Sequence, residues 1–394
     1  MRRFGVAERR SRLGVRHRLA PGTAAGDPIE VARSLVAVHS TDPSSVYLST
    51  LARMTDGDLG TVERALYDDR TLIRLLAMRR TVFVTSLDIA PVIQAACSRG
   101  VAARERRKMI GMLVEAGVGG TDPEAWLDAA EAAGVRELAA RGEATAAELA
   151  AADPYLGTEL VLSKGKKYEG RQNVSSRVLL LLAAQGRAVR GRPRGSWASH
   201  QYRWSPLELW CPDGLDGWAT EAAEVELARR WLHAYGPATA DDLRWWTGWT
   251  KTQTKRVLTE LKPAEVDLDG VDGIALADDL EPVPEAEPWA ALLPALDSTP
   301  MGWQHREWFL GDHGPRLFDR MGNVGPTLWW DGRIVGGWAQ DAAGEIVCRF
   351  LEDAGSDAVA AVEAAAARRT VLLGGARLAA RTRGKTWLEE ELAG

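Results

Sequence analysis

The sequence predicts an α+β fold that is mainly helical, and three observations support this. Apolar residues recur every three to four positions along much of residues 28–160, which is typical of amphipathic helices. A helical stretch followed by a β-hairpin pattern occurs three times. The last hundred residues or so alternate between apolar and polar, as strands do. We therefore expect three tandem winged-helix motifs followed by a small β-rich domain.

The first motif is expected over residues 1–120. "DPIEVARSLVAVHS", "SSVYLSTLARM" and "LGTVERALYDD" each have helical periodicity. "TLIRLLAMRRTVFVTS" then contains Thr81, Val82, Phe83 and Val84, a run of branched and aromatic residues that favours a strand. Three helices and a short pair of strands together predict a winged helix.

Two further motifs are indicated by an internal repeat. "RGEATAAEL" (141–149) and "YGPATADDL" (235–243) share Gly-x-Ala-Thr-Ala-x-x-Leu. Each is followed by a helical pattern, "NVSSRVLLLLAAQG" or "TKTQTKRVLTEL", and then by a hairpin pattern, the second with a turn near Val271-Asp272-Gly273. The unequal spacing indicates domain duplication and not a solenoid. We expect these domains at 121–215 and 216–290. Exposed segments are expected near 155–170, in the charged loop before the third helix of the first of them, and near 280–290.

A different domain is expected over residues 291–394. "PTLWWDGRIVGGWAQ" and "EIVCRFLE" alternate in polarity, and Asp331-Gly332 is a strong hairpin signal. "DAVAAVEAAAARRTVLLGG" predicts a terminal Ala-rich helix. The paired tryptophans Trp245-Trp246 and Trp329-Trp330 favour core and hairpin packing over base stacking.

Composition excludes several classes of function. The sequence contains no phosphate-binding loop, dinucleotide fingerprint or Cys/His cluster at metal spacing, and His305 and His313 are too loosely placed for a ligand set. We expect no cofactor and no metal. The three scattered cysteines indicate a reducing compartment. Since no long apolar run and no secretion signal are present, we expect a cytoplasmic protein without a membrane span.

The charge distribution indicates a polyanionic partner despite a net charge of −5. Residues 160–204 contain ten Lys or Arg and one acid, and residues 1–20 contain seven Arg and one Glu. Residues 260–289 contain ten acids and one Lys. Separate basic and acidic segments are typical of nucleic-acid binding. The alternative is a solvated surface with uneven charge.

The basic hairpin "RAVRGRPRGSWASHQYRWSP" is the clearest candidate for a DNA contact. Cations on a wing reach phosphates or a narrow minor groove. Basic residues just before the preceding helix could hold the same backbone. Trp197 could stack on a base, with packing beneath the wing as the alternative. The predicted DNA-binding residues are Lys164, Lys166, Lys167, Arg171, Arg190, Arg192, Arg194, Trp197 and Arg203.

A second candidate site lies in "VAVHSTDPSSVYLS" (36–49). Pro43 disfavours helix at the preceding residue, so we expect the first helix to end by about Thr41. Asp42 or Ser44 could cap the next helix, which Pro43 would begin. His39 and Thr41 would then lie at a corner between two helices. They could bind a substrate or a water, or only satisfy the backbone at a helix end.

Together these segments resemble the winged-helix DNA glycosylases of the AlkZ and YcaQ type. "VAVHSTDPSSVYLSTLAR", "LLAMRRTVFV", "RGRPRGSWASHQYRWSP", "YGPATADDLRWWTG" and "LLPALDSTPMGW…GPTLWWDGRIVGGWAQ" carry the resemblance, which spans about residues 10–350. It implies a C-shaped array of three winged helices with a C-terminal β-barrel-like domain. It also implies action on duplex DNA containing alkylated purines. Because three winged helices in one chain supply an extended footprint without dimer symmetry, we expect a monomer.

The resemblance further implies which residues are catalytic. Members remove bulky N7-alkylated purines, and some unhook crosslinks formed by antibiotics. Their catalytic motif, Gln-x-Gln or Gln-x-Asp, corresponds here to His39 and Thr41, with Ser40 between them. Neither Gln is present, so two hypotheses stay open: a monofunctional glycosylase and a non-catalytic DNA or lesion binder. A regulator that reads a palindrome is a third.

Overall fold

The computed structural model describes residues 1–167, 169–378 and 384–392. It is a mixed α/β structure with about 47% helix and 18% strand. The α-helices, in chain order, are α1 (Val6–Arg16), α2 (Pro28–Ser34), α3 (Pro43–Leu51), α4 (Leu59–Glu63), α5 (Ala90–Ile93), α6 (Arg99–Ala116), α7 (Pro123–Arg141), α8 (Ala146–Ala152), α9 (Pro154–Gly157), α10 (Val174–Ala184), α11 (Thr220–Tyr235), α12 (Ala240–Thr247), α13 (Lys251–Leu261), α14 (Glu307–Leu310), α15 (Gly314–Leu317), α16 (Ser356–Leu373) and α17 (Trp387–Leu392).

The strands are short. They are β1 (Arg2–Arg3), β2 (Val38–His39), β3 (Leu72–Leu76), β4 (Val82–Ser86), β5 (Glu159–Leu162), β6 (Gly170–Asn173), β7 (Ala188–Pro193), β8 (Tyr202–Pro206), β9 (Ala264–Asp267), β10 (Asp272–Ala275), β11 (Ala290–Leu293), β12 (Thr327–Trp330), β13 (Arg333–Gln340) and β14 (Ile346–Phe350). The chain divides into two compact units: unit 1 (1–72, 83–86 and 224–394) and unit 2 (73–82 and 87–223). The expected four-domain division stays a prediction.

The internal repeat corresponds to a repeated local structure. Thr145 begins α8 and Thr239 begins α12, each through a capping box in which the threonine hydroxyl accepts the amide of the third helical residue. Directly before them, Ala144 forms an antiparallel bridge with Trp204 of β8, and Ala238 forms one with Ile274 of β10. We call residues 142–206 the middle repeat, in unit 2, and residues 236–275 the late repeat, in unit 1.

Two expected details of these repeats are corrected by the structure. The segment near 155–170 is not only a loop, because β5 and β6 pair in it as an antiparallel hairpin. The turn of the β9–β10 hairpin lies at Asp269-Gly270, where both residues have positive φ (57° and 91°), and not at 271–273. Such a turn needs two left-handed residues, which Asp and Gly provide at low cost. The N-terminal β1 pairs parallel to β9 within unit 1.

The C-terminal region contains a four-stranded antiparallel sheet in the order β11-β12-β13-β14, with α16 packed against it. Asp331 and Gly332 turn the β12–β13 hairpin with φ of 46° and 76°, as predicted. In the described strands this sheet is open, because β11 and β14 are its edges. The closed barrel suggested by the resemblance is therefore absent from the described part of this region.

Tryptophans form much of the unit 1 core, as the sequence predicts. Trp246 and Trp329 are fully buried, whereas their neighbours Trp245 and Trp330 are half-buried. A run of ring contacts with centroid separations of 5.1–6.3 Å joins Phe83 to Trp246, Tyr235 and Trp303. Such contacts between aromatic rings in unit 1 add stability beyond the area they bury. The core of unit 2 consists mainly of aliphatic side chains from α6, α7, α8 and α10.

Candidate functional site

The 36–43 corner is a strand-to-helix connection and not the expected corner between two helices. Helix α2 already ends at Ser34, and Val36 has a φ of 61°, which is incompatible with its continuation. Strand β2 then pairs antiparallel with β4, with Val38 opposite Val84 and His39 opposite Phe83. The start of α3 is as predicted, since the Asp42 carboxylate accepts the Ser44 amide at 2.9 Å and Pro43 is the first helical residue.

His39 and Thr41 lie close together but differ in exposure. The His39 residue is only 3% exposed, and its ring contacts Phe83 edge-on at 5.0 Å. Thr41 is exposed, and its backbone amide donates to Nδ1 of His39 at 3.4 Å. While Nδ1 accepts this hydrogen bond, a neutral imidazole carries its proton on Nε2.

Residues 297–299 brace the corner from a part of the chain about 260 residues away. The Ser298 hydroxyl accepts the His39 amide and donates to the Ala37 carbonyl, both at 3.0 Å. These bonds fix the backbone of β2 on the side opposite to β4. Sequence reasoning missed this role, although "ALDSTPMGW" lies within a segment that carries the resemblance.

Asp297 and Arg53 form a fully buried ion pair behind this brace. Their Oδ1 and Nη2 atoms are 2.7 Å apart, and Ser49 donates to Oδ2 at 2.6 Å. Burial by itself would raise the pKa of the Asp297 carboxyl. The charge of Arg53 and the hydrogen bonds from Arg53, Ser49 and the Thr299 amide outweigh it, so the pKa lies below its usual value. Asp297 is therefore ionised, and it anchors α3 to residues 297–299.

His17 completes this buried network. Its Nδ1 lies 2.8 Å from the Thr299 hydroxyl, and its ring packs against Tyr235 and Trp303. Burial, reinforced by the charge of Arg53, lowers the pKa of His17 from 6.5 to about 3. His17 is thus a neutral structural histidine.

On the basic hairpin β7–β8, the predicted DNA-binding arginines fall into two groups. Arg192 and Arg194 are exposed. The Arg190 guanidinium lies over the rings of Tyr202 and Trp204, 5.3 and 5.2 Å from their centroids. Burial lowers the pKa of Arg190, with Tyr202 opposing this and Arg74 adding to it. Arg203 forms ion pairs with Glu143 at 2.7 Å and Glu148 at 3.4 Å.

The cations before α10 lie on the β5–β6 hairpin, in the same unit as β7–β8. Lys164, Lys166 and Lys167 are exposed in its loop. Arg171 lies on β6 and is paired with Glu159 at 3.0 Å and Glu169 at 3.9 Å. Trp197 is half-buried, so stacking and packing both stay open.

The basic N-terminus interacts with the acidic segment within the protein. Arg3 pairs with Asp269 at 2.9 Å, and Arg12 and Arg16 pair with the same Asp279 at 2.7 and 2.6 Å. Arg9 lies over Trp308. Three arginines of the first segment are therefore paired with acids of the second, although the two segments are far apart in sequence.

Two other properties bear on the site. Within residues 1–167, 169–378 and 384–392, no group of three or more His, Cys, Asp or Glu side chains is arranged to hold a metal ion. His313 instead contacts Glu352 at 2.9 Å. Among the helices of the described residues, none has the length and apolarity required to span a bilayer.

Comparison with known proteins identifies the class as DNA glycosylases. Residues 32–370 match the family described as DNA glycosylase AlkZ-like, and the chain belongs to this family. Among solved structures, the chain is similar to the DNA glycosylase AlkZ of Streptomyces sahachiroi, with a TM-score of 0.72 and 21% identity over 95% of this chain and 98% of that one. No curated protein sequence matched significantly.

Proposed function

We propose that this protein is a DNA N-glycosylase that removes cationic N7-alkylpurines from duplex DNA. The observation that carries the proposal is the family membership over residues 32–370, a range that includes the braced corner with His39 and Thr41. The catalytic pair is His39 and Thr41, and the partner is duplex DNA bound by a monomer.

The chemistry requires little acid catalysis from the protein. N7-alkylation makes the purine a cationic leaving group, so the C1′–N9 bond breaks with its electron pair passing to the base. Water attacks the oxocarbenium-like C1′, and its proton must be accepted. Thr41, being exposed, can orient this water through its hydroxyl. His39 can take the proton at Nδ1 once that atom exchanges the long 3.4 Å bond from the Thr41 amide for one from water.

The finer architecture is part of the same proposal. We propose winged helices over residues 1–120, 121–215 and 216–290, with residues 291–394 as a separate domain. The matching capping boxes and bridges of the middle and late repeats support the second and third motifs. Pairing of β2 with β4 supports the first, because it gives a strand ahead of α3 the same role as Ala144 and Ala238. Crosslink unhooking and self-resistance to an alkylating antibiotic are the proposed biological use.

A non-catalytic lesion binder is the second candidate. Two observations favour it: His39 is buried, and neither Gln of the family motif is present. In this alternative, His39 and Thr41 only stabilise the connection between β2 and α3.

The experiment is a base-release assay on duplex DNA containing a single 7-methylguanine or a bulkier N7 adduct. Free base is measured by mass spectrometry, and the abasic strand is cleaved by added base. We expect base release without strand cleavage until base is added, because no lysine is present at the corner to form a Schiff base. Adduct binding without release of any base would favour the non-catalytic binder.

A further inference from the structure

Helices α12 and α13 form a tight helix-turn-helix in unit 1. Only residues 248–250 separate them, and Gly248 ends α12 with a φ of 76°. The Thr250 hydroxyl then accepts the Gln253 amide at 3.2 Å to begin α13. A three-residue turn containing glycine is typical of DNA-binding helix-turn-helix motifs, whose second helix contacts DNA.

The exposed side of α13 is basic. Lys251 and Lys255 are one turn apart, and Lys262 follows the last turn. All three are exposed and line one open groove of about 590 Å³. Glu260, the acidic residue of this helix, is nine positions from Lys251, or about 180° around the helix axis at 3.6 residues per turn. The lysines and the acid therefore lie on opposite sides of the helix.

The positive charge of this groove is only partly compensated, because four cations and two acids line it. In the described parts of the chain, none of the three lysines has a carboxylate within ion-pair distance. Of the remaining charged residues that line the groove, Arg244 pairs with Asp241 at 3.0 Å, and Glu265 is the other acid. Two cations on one helix and a third directly after its end, all beside an open groove, suit a polyanion with regularly spaced charges.

The late and middle repeats carry their exposed positive charge on different elements. In the middle repeat the hairpin is basic, whereas its helix α10 has one cation, Arg177, which donates to Gln172. In the late repeat the hairpin is acidic, and its Asp269 is bound to Arg3 and to the Val6 amide. An acidic hairpin repels phosphates, so we expect the late repeat to contact DNA through its helix α13 and not through its hairpin.

We propose that α13 is a duplex-DNA contact in which Lys251, Lys255 and Lys262 bind backbone phosphates. The proposal rests on the proposed function only in taking duplex DNA as the partner. The contact is independent of base sequence, because lysine ammonium groups bind phosphates as point charges. It adds a DNA contact in unit 1 to those predicted on β7–β8 in unit 2.

The test is the salt dependence of binding to a short undamaged duplex, measured by fluorescence anisotropy between about 50 and 200 mM salt. Removing one lysine–phosphate interaction should reduce the slope of log K against log salt by about 0.9. We expect K251Q/K255Q/K262Q to bind more weakly and to reduce the slope by up to about 2.7. The charge-preserving variant K251R/K255R/K262R should keep the wild-type slope, and E260Q, on the opposite side, should do so as well.

An unchanged slope and affinity in the folded glutamine variant would overturn the proposal. The same holds if that variant binds duplex normally but no longer binds poly-glutamate, since the groove would then bind acidic protein. Circular dichroism confirms the fold of each variant. Because undamaged DNA is used, a chain without glycosylase activity would still show the slope change. Failure of the α13 contact can therefore be distinguished from failure of the proposed glycosylase function.

Discussion

Arg53 and Asp297 form an ion pair whose side chains are both completely buried, although 244 residues separate them in the sequence. A buried charge without its partner is strongly destabilising. We expect Asp297→Asn, which is nearly isosteric, to lower the free energy of unfolding by about 3–5 kcal/mol. Urea denaturation followed by tryptophan fluorescence measures this. The double variant Arg53→Met/Asp297→Leu removes both charges of the pair and should be more stable than Asp297→Asn, because the attraction of Asp297 for the buried Arg369 is lost equally in both variants. The reverse order would contradict this account.

His17 should make the protein less stable in mild acid. Its pKa is about 3 in the folded state, against 6.5 in an unperturbed histidine, so below pH 6.5 the unfolded chain binds the proton and the folded chain does not. Its contribution to stability is complete above pH 6.5 and falls by about 1.4 kcal/mol per pH unit as the pH drops toward 3. Free energies of unfolding, obtained from urea titrations between pH 7 and pH 5, should show this slope. His17→Gln should be less stable at pH 7 and should depend less on pH; an equal pH dependence would assign the effect to other groups.

At the corner, His39→Ala should reduce the single-turnover rate of base release by about 10²-fold or more if the imidazole accepts the water proton. Thr41→Val, which removes only the hydroxyl, should cost about 1.5–3 kcal/mol of transition-state stabilisation. His39→Gln introduces the amide that the resemblance implies at this position and should retain more activity than His39→Ala.

The matched control for these variants is binding to undamaged duplex, which should not change. Wild-type rates in both His39 variants and in Thr41→Val would mean that the corner is not catalytic.

Mutations in the basic hairpin should distinguish the arginines that bind DNA from those that stabilise the fold. Arg192→Ala/Arg194→Ala should weaken duplex binding and reduce its salt slope by up to about 1.8, at about 0.9 for each phosphate bound. Arg190→Ala removes contacts with two aromatic rings, and Arg203→Ala removes two ion pairs. We therefore expect both variants to lower the melting temperature more than they change the salt slope. The hairpin is not the DNA contact if Arg192→Ala/Arg194→Ala binds as the wild type at every salt concentration.

Limited proteolysis should first cut two segments. Lys164, Lys166 and Lys167 offer exposed trypsin sites, and residues 281–288 are mostly exposed and without regular structure. In the second segment a Glu-specific protease should cut after Glu285, because Glu281 and Glu287 each precede a proline. Gel electrophoresis with mass spectrometry locates the cuts. A core resistant in both segments would count against the proposed domain boundaries.

Local signals predicted local structure. Asp42 and Pro43 begin α3 and Asp331-Gly332 turns a hairpin, because each feature depends on neighbouring residues only. The two-residue strand at His39 was missed because it depends on Phe83 and Ser298, which are far away in the sequence.

The charge pattern of the sequence indicated exposed positive charge only where the side chains that pair with it are close in the sequence. The seven arginines of residues 1–20 predicted a basic surface, but several of them bind the acidic 260–289 segment, a pairing that sequence spacing does not reveal. Likewise, nothing in the sequence around Arg190 indicated that aromatic rings would cover its guanidinium group. The lysines of α13 were overlooked because the surrounding segment is acidic overall.

The parallel pairing of β1 with β9 also sets an order of events during synthesis. Arg2 and Arg3 are translated about 264 residues before their partners Val266 and Asp267. At about 5–20 residues per second, β1 is made roughly 13–50 s before the strand with which it pairs. During this time Arg3, Arg12 and Arg16 lack the carboxylates of Asp269 and Asp279, so the new chain exposes positive charge in a cell rich in RNA until translation passes Asp279.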